Sequence, residues 1–304
     1  MESRQVNVLA PNIPGYEIIE QAGEGGMSVV WKARDVRTGR IVALKILNRD
    51  LLANPDDLSA FIDEEKVMEQ IDHPGVVKGY ELACHAGQWF YVMEYVDGYN
   101  FQSLLQRKRH IVEADCLLIC ESVAAALDYA WNDHGVVHRD IKPENIMINR
   151  EGVVKLTDLG LCHVFRNQRA GSIATPDHIT GTPAYISPEQ IYGDVEPDCR
   201  ADIYSLAATL YHLSTGRVLF PGLSTDDTLR AHCSEKCRAK DPRAYYPDLS
   251  EGFCRLLEAM LVKNRDSRMQ SWQEVFEMCR DIESGVKFKP RRSSGASSIA
   301  LMRI

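Results

Sequence analysis

No two of the nine cysteines in this 304-residue sequence stand in a C-x-x-C pair, so the simplest zinc or dithiol spacing is missing. Cys116/Cys120 and Cys233/Cys237 are spaced like neighbours on one helix face, the usual place of small apolar core residues. The stretch "HCSEKC" (232–237) has no second ligand cluster near it in sequence, and a reduced, cytoplasmic protein is expected. Long apolar runs are missing too. None reaches the roughly 20 residues of a membrane helix, and the best candidate, "CLLICESVAAALDYAW", is broken by Glu121. The start, "MESRQVNVLAPNIPGYEII", lacks an apolar core of signal-peptide length. Basic charge is scarce: 35 Lys and Arg against 43 Asp and Glu give a net charge of -8, which argues against a nucleic-acid partner. No G-x-x-x-x-G-K-[ST] occurs, which removes a P-loop, and no internal repeat is visible.

What is present is an ordinary globular balance, 45% hydrophobic and 26% charged. The length allows one large domain or two modest ones. Up to about residue 96 the pattern is extended. Residues 16–23, 28–36, 40–47, 76–84 and 89–96 are rich in β-branched and aromatic side chains, with turn signals at Thr38-Gly39 and Ala86-Gly87. One helix interrupts them, opening at "NPDD" with Asn54 as N-cap and running to about Ile71. Beyond Asn100 the periodicity turns helical, over 114–132, 200–213, 225–238, 252–262 and 271–282. A small β-rich lobe (about 16–96) therefore precedes a larger helical lobe (about 97–284), joined at "EYVDGYN" (94–100). Residues 1–15 read as an extension. Residues 285–304, basic and then Ser-rich, read as a disordered tail.

Three stretches carry chemistry. In "AGEGGMSVVWKA" (22–33), Gly23, Gly25 and Gly26 let backbone amides approach a polyphosphate. A strand follows, "SVVWKARDV", so this is a hairpin with a glycine tip and not a dinucleotide-binding turn. In "IVALKIL" (41–47), Lys45 sits on an alternating strand, where lysines are usually solvated unless a buried anion needs them. Glu64 and Glu65 are both candidates for holding its ammonium, and helical periodicity does not separate them. Finally, "HRDIKPEN" (138–145) and "VVKLTDLG" (153–160) flank the turn signal 149–152. Valines 136–137 and residues 146–148 read as buried strand, so Asp140, Lys142 and Asn145 are polar groups set against a core. Asn145 and Asp158 offer two oxygen ligands to a hard cation such as Mg²⁺. Asp140 can accept a proton from an incoming hydroxyl, and Lys142 can offset phosphoryl charge. Any one of these alone is more often a turn or capping residue.

In this order, "GEGGMSVV", "VALK", "HRDIKPEN", "DLG" and "SPE" (187–189) resemble the protein-kinase signature set. "GGMSVVWKA" and "GTPAYISPEQ" look most like the bacterial Hanks-type, eukaryotic-like serine/threonine kinases. The resemblance covers roughly residues 16–284. It implies an α+β fold of two lobes, ATP and Mg²⁺ as cofactors, and proteins with serine or threonine acceptors as substrates. The glycine loop, Ala22, Gly23, Glu24, Gly25, Gly26, Met27, Ser28, Val29 and Val30, would cover the ATP phosphates, with Ala43 also in the nucleotide site. Lys45 would hold the α and β phosphates, and the distance to His73-Pro74 selects Glu64 as its partner. Met93 would be the gatekeeper, Glu94 and Val96 the backbone contacts to adenine, and Met147 the floor of the pocket. Asp140 would be the base, Lys142 its phosphate-neutralising partner, Asn145 and Asp158 the magnesium ligands.

The same resemblance pairs Glu189 with Arg268, braces the catalytic loop on Asp202, and sets Thr182 against the substrate loop. It makes Arg139 the receiver of a phosphorylated loop residue, with Thr175 favoured over Ser172 and Thr180. Kinase domains would meet one another for autophosphorylation, and a membrane would matter only in a longer chain. The alternative class is a pseudokinase scaffold, which the presence of Lys45, Asp140, Asn145 and Asp158 disfavours. Ser28 in place of a third glycine, "DLG" for "DFG", the small Ala22 and the absent proline at Arg265 are departures that remove no chemical group.

Overall fold

In the computed structural model, which describes residues 10–25, 28–48, 55–158, 181–193 and 195–285, the alternating stretches of the first lobe form one antiparallel sheet. Its strands are β1 (Tyr16–Glu24), β2 (Ser28–Asp35), β3 (Ile41–Leu47), β4 (Gly79–His85) and β5 (Gln88–Glu94). They lie in the order β1-β2-β3-β5-β4. A helix, α1 (Pro55–Gln70), crosses between β3 and β4. Strand alternation sorts the side chains by face. Val42, Leu44 and Ile46 join Trp31, Phe90 and Val92 in a small core on one face. Leu47 and Tyr91 turn to the other face and join Met68 of α1 and Ile71 just beyond it in the main core. Lys45 has the parity of Leu47, which points its ammonium at α1.

The second lobe is helical, with a short sheet at the join: β6 (Gly98–Asn100), β7 (Ile146–Asn149) and β8 (Val154–Leu156). Gly98 is required there, because a Cβ would sit 1.9 Å from the Ile148 carbonyl oxygen. Helices follow as α2 (Phe101–Lys108), α3 (Glu113–His134), α4 (Pro188–Tyr192), α5 (Cys199–Thr215), α6 (Thr225–Cys233), α7 (Glu251–Met260) and α8 (Trp272–Glu283). Helix α5 is buried almost all round, the mark of a helix at the centre of a core. Tyr204, Tyr211, Phe253 and Trp272 fill the space about it. Helix α8 lies along α3, where the Cys120 and Cys279 thiols come within 3.8 Å. Among the described residues no helix is long and apolar enough to cross a membrane.

Two expectations shift. The stretch at 136–137 is buried but is not a strand. The amides that follow, His138 and Arg139, donate to the Asp202 carboxylate at 2.7 and 2.8 Å and so have no need of a sheet partner. The helix expected over 225–238 stops at Cys233. There the Lys263 ammonium gathers the carbonyls of Ala231, Ser234 and Cys237 and holds a turn in place of another helical turn. His232, in "HCSEKC", is fully buried, and its Nδ1 bonds the Tyr204 hydroxyl at 2.8 Å, a core role.

Candidate active site

Lys45 is largely buried, and a buried ammonium requires counter-charge. Two carboxylates among the described residues meet it: Glu65 at 3.4 Å and Asp158 at 3.0 Å. The described carboxylate on α1 that meets Lys45 is thus Glu65, whereas the motif spacing selects Glu64, whose side chain falls outside the described residues. On α1, Glu65 lies one turn before Met68, and both are buried where the helix meets the sheet. Burial pushes the Glu65 carboxyl up from its ordinary value, against the pull of Lys45. The Asp158 carboxyl goes the other way, held low chiefly by the charge of Lys45. Asp158 has φ 52, in the left-handed region that aspartate tolerates better than most residues. With Met68, Val77, Tyr91 and Met93 these three charged groups line a recess between sheet and helix.

The loop at 138–145 is organised around a second carboxylate. Asp140 Oδ2 receives Lys142 Nζ at 2.6 Å and Asn145 Nδ2 at 3.3 Å. Asp140 Oδ1 accepts from the Thr182 amide and hydroxyl, both at 3.1 Å. Lys142 also donates to the Thr182 hydroxyl, at 2.9 Å, closing a triangle. Asn145, in the 3-10 turn Pro143–Asn145, gives its Nδ2 to the Asp140 carbonyl at 2.9 Å. Its amide oxygen accepts no hydrogen bond from the described residues and is available to a cation. The Thr157 amide donates to the Asn145 carbonyl at 2.9 Å, which ties the loop to the approach to Asp158.

Main-chain braces hold this loop from behind. Asp202 accepts the two amides already named; burial pushes its carboxyl up, opposed by His138 and those two bonds. The His138 ring lies between the Asp140 amide, 3.3 Å from Nδ1, and the Thr157 carbonyl, 3.1 Å from Nε2. That pairing makes Nδ1 the acceptor and Nε2 the donor. Gln190 Nε2 donates to the Arg139 carbonyl at 2.8 Å. Glu189 and Arg268, both buried, form a two-point ion pair at 2.6 and 3.0 Å.

The remaining positions lie around the cleft. Gly23 and Glu24 pair with Val30 and Val29 across the β1–β2 hairpin, and the Gly25 amide closes on the Ser28 carbonyl at 2.8 Å. Ala22 is exposed on β1 and Ser28 buried at the start of β2. Ala43 and Met93 are partners across β3 and β5; Val96 is buried just beyond. Met147 faces Lys155 across β7 and β8. Gly26, Met27, Ser172, Thr175, Thr180 and the tail from 286 lie outside the described residues.

The protein kinase domain model matches residues 16–279 of this chain. The chain belongs to the protein kinase domain family. A probable serine/threonine-protein kinase of Streptomyces coelicolor is 34% identical over 285 residues, 92% of this chain and 41% of that protein. The serine/threonine-protein kinase PknB of Mycobacterium tuberculosis is 34% identical over 264 residues, 86% of this chain and 41% of its own length. The chain thus spans about two fifths of these relatives. The crystal structure of the Mycobacterium tuberculosis PknI kinase domain shares the fold, with a TM-score of 0.68 and 24% identity over 89% of this chain and 97% of that one.

Within this kinase domain, motif reading missed two contributors and a direct contact of a third residue that it had named. His138 belongs to the quoted loop, yet nothing in sequence says that its ring ties the loop to Thr157. Thr182, expected against the substrate loop, bonds Asp140 and Lys142 directly. Lys155 bridges to Glu94 at 2.9 Å, although it looks like one more strand lysine. The signal for Lys155 was its place in strict alternation between the buried Val154 and Leu156.

Proposed function

We propose that this kinase domain transfers the γ-phosphoryl group of ATP to serine and threonine hydroxyls of proteins. The observation that carries the reading is the triangle of Asp140, Lys142 and Thr182, set beside Asn145 and coupled through Thr157 to Asp158. Asp140 orients the acceptor hydroxyl and receives its proton. Lys142 offsets charge on the transferring phosphoryl group, and Lys45, held by Glu65 and Asp158, neutralises the phosphates behind it. The Asn145 amide oxygen and the Asp158 carboxylate are hard donors, a set that suits Mg²⁺ arriving with phosphates better than a resident metal. Among the described residues no cluster of three His, Cys, Asp or Glu gathers into a cage. When bound, the cation supplies charge neutralisation between phosphate oxygens. The contribution of the protein is positioning and preorganised charge.

The glycine hairpin covers the phosphates, Glu94 and Val96 offer backbone groups to adenine, and Met147 floors the base. Thr175, with Ser172 and Thr180 as alternatives, is the proposed site of autophosphorylation between two copies. The cysteines of the described residues are all free thiols, which suits a cytoplasmic site.

The test compares the native chain with Asp140→Asn on a generic protein substrate in Mg-ATP. Turnover falls about 10²–10⁴-fold while nucleotide binding survives. Equal turnover would remove Asp140 as base. Silence of both proteins toward every protein substrate, with nucleotide still bound, would replace phosphoryl transfer by a binding role.

A further inference from the structure

The His232 ring, on α6, is fully buried, and edge-to-face contacts with Tyr204 and Phe220, centroids 5.7 and 5.1 Å away, fix its plane. Arg268, paired with Glu189, lies 5.0 Å over the Tyr204 ring, so the partner of the imidazole is itself held from behind. Nδ1 meets the Tyr204 hydroxyl at 2.8 Å. The other nitrogen, Nε2, is enclosed, and the main-chain acceptors of Pro183 and Ala184 favour a proton on it, without full hydrogen-bond geometry. Burial and the charge of Lys263 keep the ring neutral at neutral pH, so it carries one N–H. Acceptors beside Nε2 place the hydrogen there and leave Nδ1 to accept from Tyr204.

Pro183 and Ala184 follow Thr182, which bonds Asp140 through its amide and hydroxyl and receives Lys142 on the hydroxyl. Beyond them, the Tyr185 hydroxyl meets His212, and Ile186 packs with Leu229 of α6. Both ends of the stretch are therefore anchored, and its middle rests on His232. Residues 182–184 are half-buried, backed by protein on one side and open to solvent on the other. We infer that His232 is a positioning residue for phosphoryl transfer, supporting through Nε2 the main chain at 183–184 that sets Thr182 against Asp140 and Lys142. The open side of that main chain lies beside the proposed base, where an acceptor protein must approach. None of the kinase signature stretches contains His232. The inference rests on the kinase reading above for its effect on turnover, and on geometry alone for its hold on the stretch.

The experiment uses the full chain as wild type, His232→Asn, His232→Gln and Tyr204→Phe. An asparagine amide overlays the Nδ1 side of an imidazole and keeps an acceptor for Tyr204; a glutamine amide reaches the Nε2 side and keeps a donor for 183–184. Hydrogen exchange over 182–186, kcat and KM for a generic protein substrate, and KM for ATP are measured together. In His232→Asn the stretch exchanges at least about threefold faster. Its kcat/KM for the protein substrate falls about tenfold, with KM for ATP within about twofold. His232→Gln stays within about threefold of wild type on each count. The reverse order, Asn like wild type and Gln impaired, makes Tyr204 the only group the ring serves and overturns the inference. Two folded variants that behave alike overturn it as well. Where neither folds, Tyr204→Phe decides, because it keeps the ring but frees Nδ1 to take the hydrogen: faster exchange over 182–186 upholds the inference, and unchanged exchange overturns it. Faster exchange in the Asn variant of a chain whose wild type transfers no phosphate upholds the hold on the stretch and sinks the kinase reading instead.

Discussion

Glu65 keeps a carboxylate where burial disfavours its charge, and Lys45 alone among its named neighbours offsets that cost. Because Lys45 also has Asp158, removing the Glu65 charge does not leave the ammonium unpaired. The expected outcome is a split between stability and activity. Glu65→Gln keeps or raises the melting temperature near neutral pH, since a neutral amide is cheaper to bury than a carboxylate. Turnover falls about 10²-fold or more, because Lys45 loses the side chain that fixes its position. Glu64→Gln is the contrast and stays within about twofold of wild type. A Glu64 variant that loses activity while the Glu65 variant keeps it would return the ion pair to the residue selected by motif spacing. The sign for pH follows from the same burial. As pH falls through a raised carboxyl pKa, Glu65 takes up a proton and the pair with Lys45 is lost, so the acid limb of turnover lies above the ordinary glutamate range.

At the level of elements, the motifs disclosed most of what lies on strands and little of what lies on α1 or in coil. Period two assigns Lys45 to the face opposite Leu44 without ambiguity, and the sheet bears this out. On α1, Glu64 and Glu65 differ by about 100° of helix rotation, and apolar neighbours flank both, so periodicity does not choose between them. The stretch at 136–137 is apolar enough for a strand, but the Val136 amide folds back on the Ala130 carbonyl at the end of α3, and a carboxylate more than sixty residues away takes the next two amides, His138 and Arg139. Side-chain ties between distant segments leave no periodic trace, and Lys155–Glu94 is one of them. Glu94 ends β5 and Lys155 lies opposite Met147 in the small sheet. Glu94 Oε2 also accepts the Lys78 amide at 3.3 Å. The pair thus spans from the strand proposed to contact adenine to the sheet proposed to floor it. Lys155→Met is expected to cost about 1–2 kcal/mol in nucleotide binding, the pair being only partly shielded, hence roughly 5–30-fold in KM for ATP at unchanged kcat. An unchanged KM, or a fall confined to kcat, would show that the pair does not set the cleft.

The described structure is built around α5, which carries Asp202 toward the 138–145 loop at one end and His212 toward Tyr185 near the other. The Tyr185 hydroxyl is 2.7 Å from His212 Nδ1. Burial raises the phenol pKa and lowers that of His212 to about 4, so the phenol donates to a neutral ring. His232, bonded to Tyr204 from α6, is likewise pushed down to about 4 by burial and by Lys263. Both histidines titrate near 6.5 once unfolded. Between about pH 6.5 and 4 the unfolded chain therefore binds more protons than the folded one, and stability from these rings drains away as pH falls. Glu65 and Asp202, with raised carboxyl pKa values, act in the opposite direction, favouring the fold as they protonate. A comparison within one background cancels them. The drop in melting temperature from about pH 7.5 to about pH 5 is expected to be smaller in His212→Asn than in wild type, because the amide keeps an acceptor for Tyr185 and takes up no proton. Equal drops in the two proteins would mean that His212 is already protonated in the fold, and the Tyr185 bond would then have to be drawn with the ring as donor.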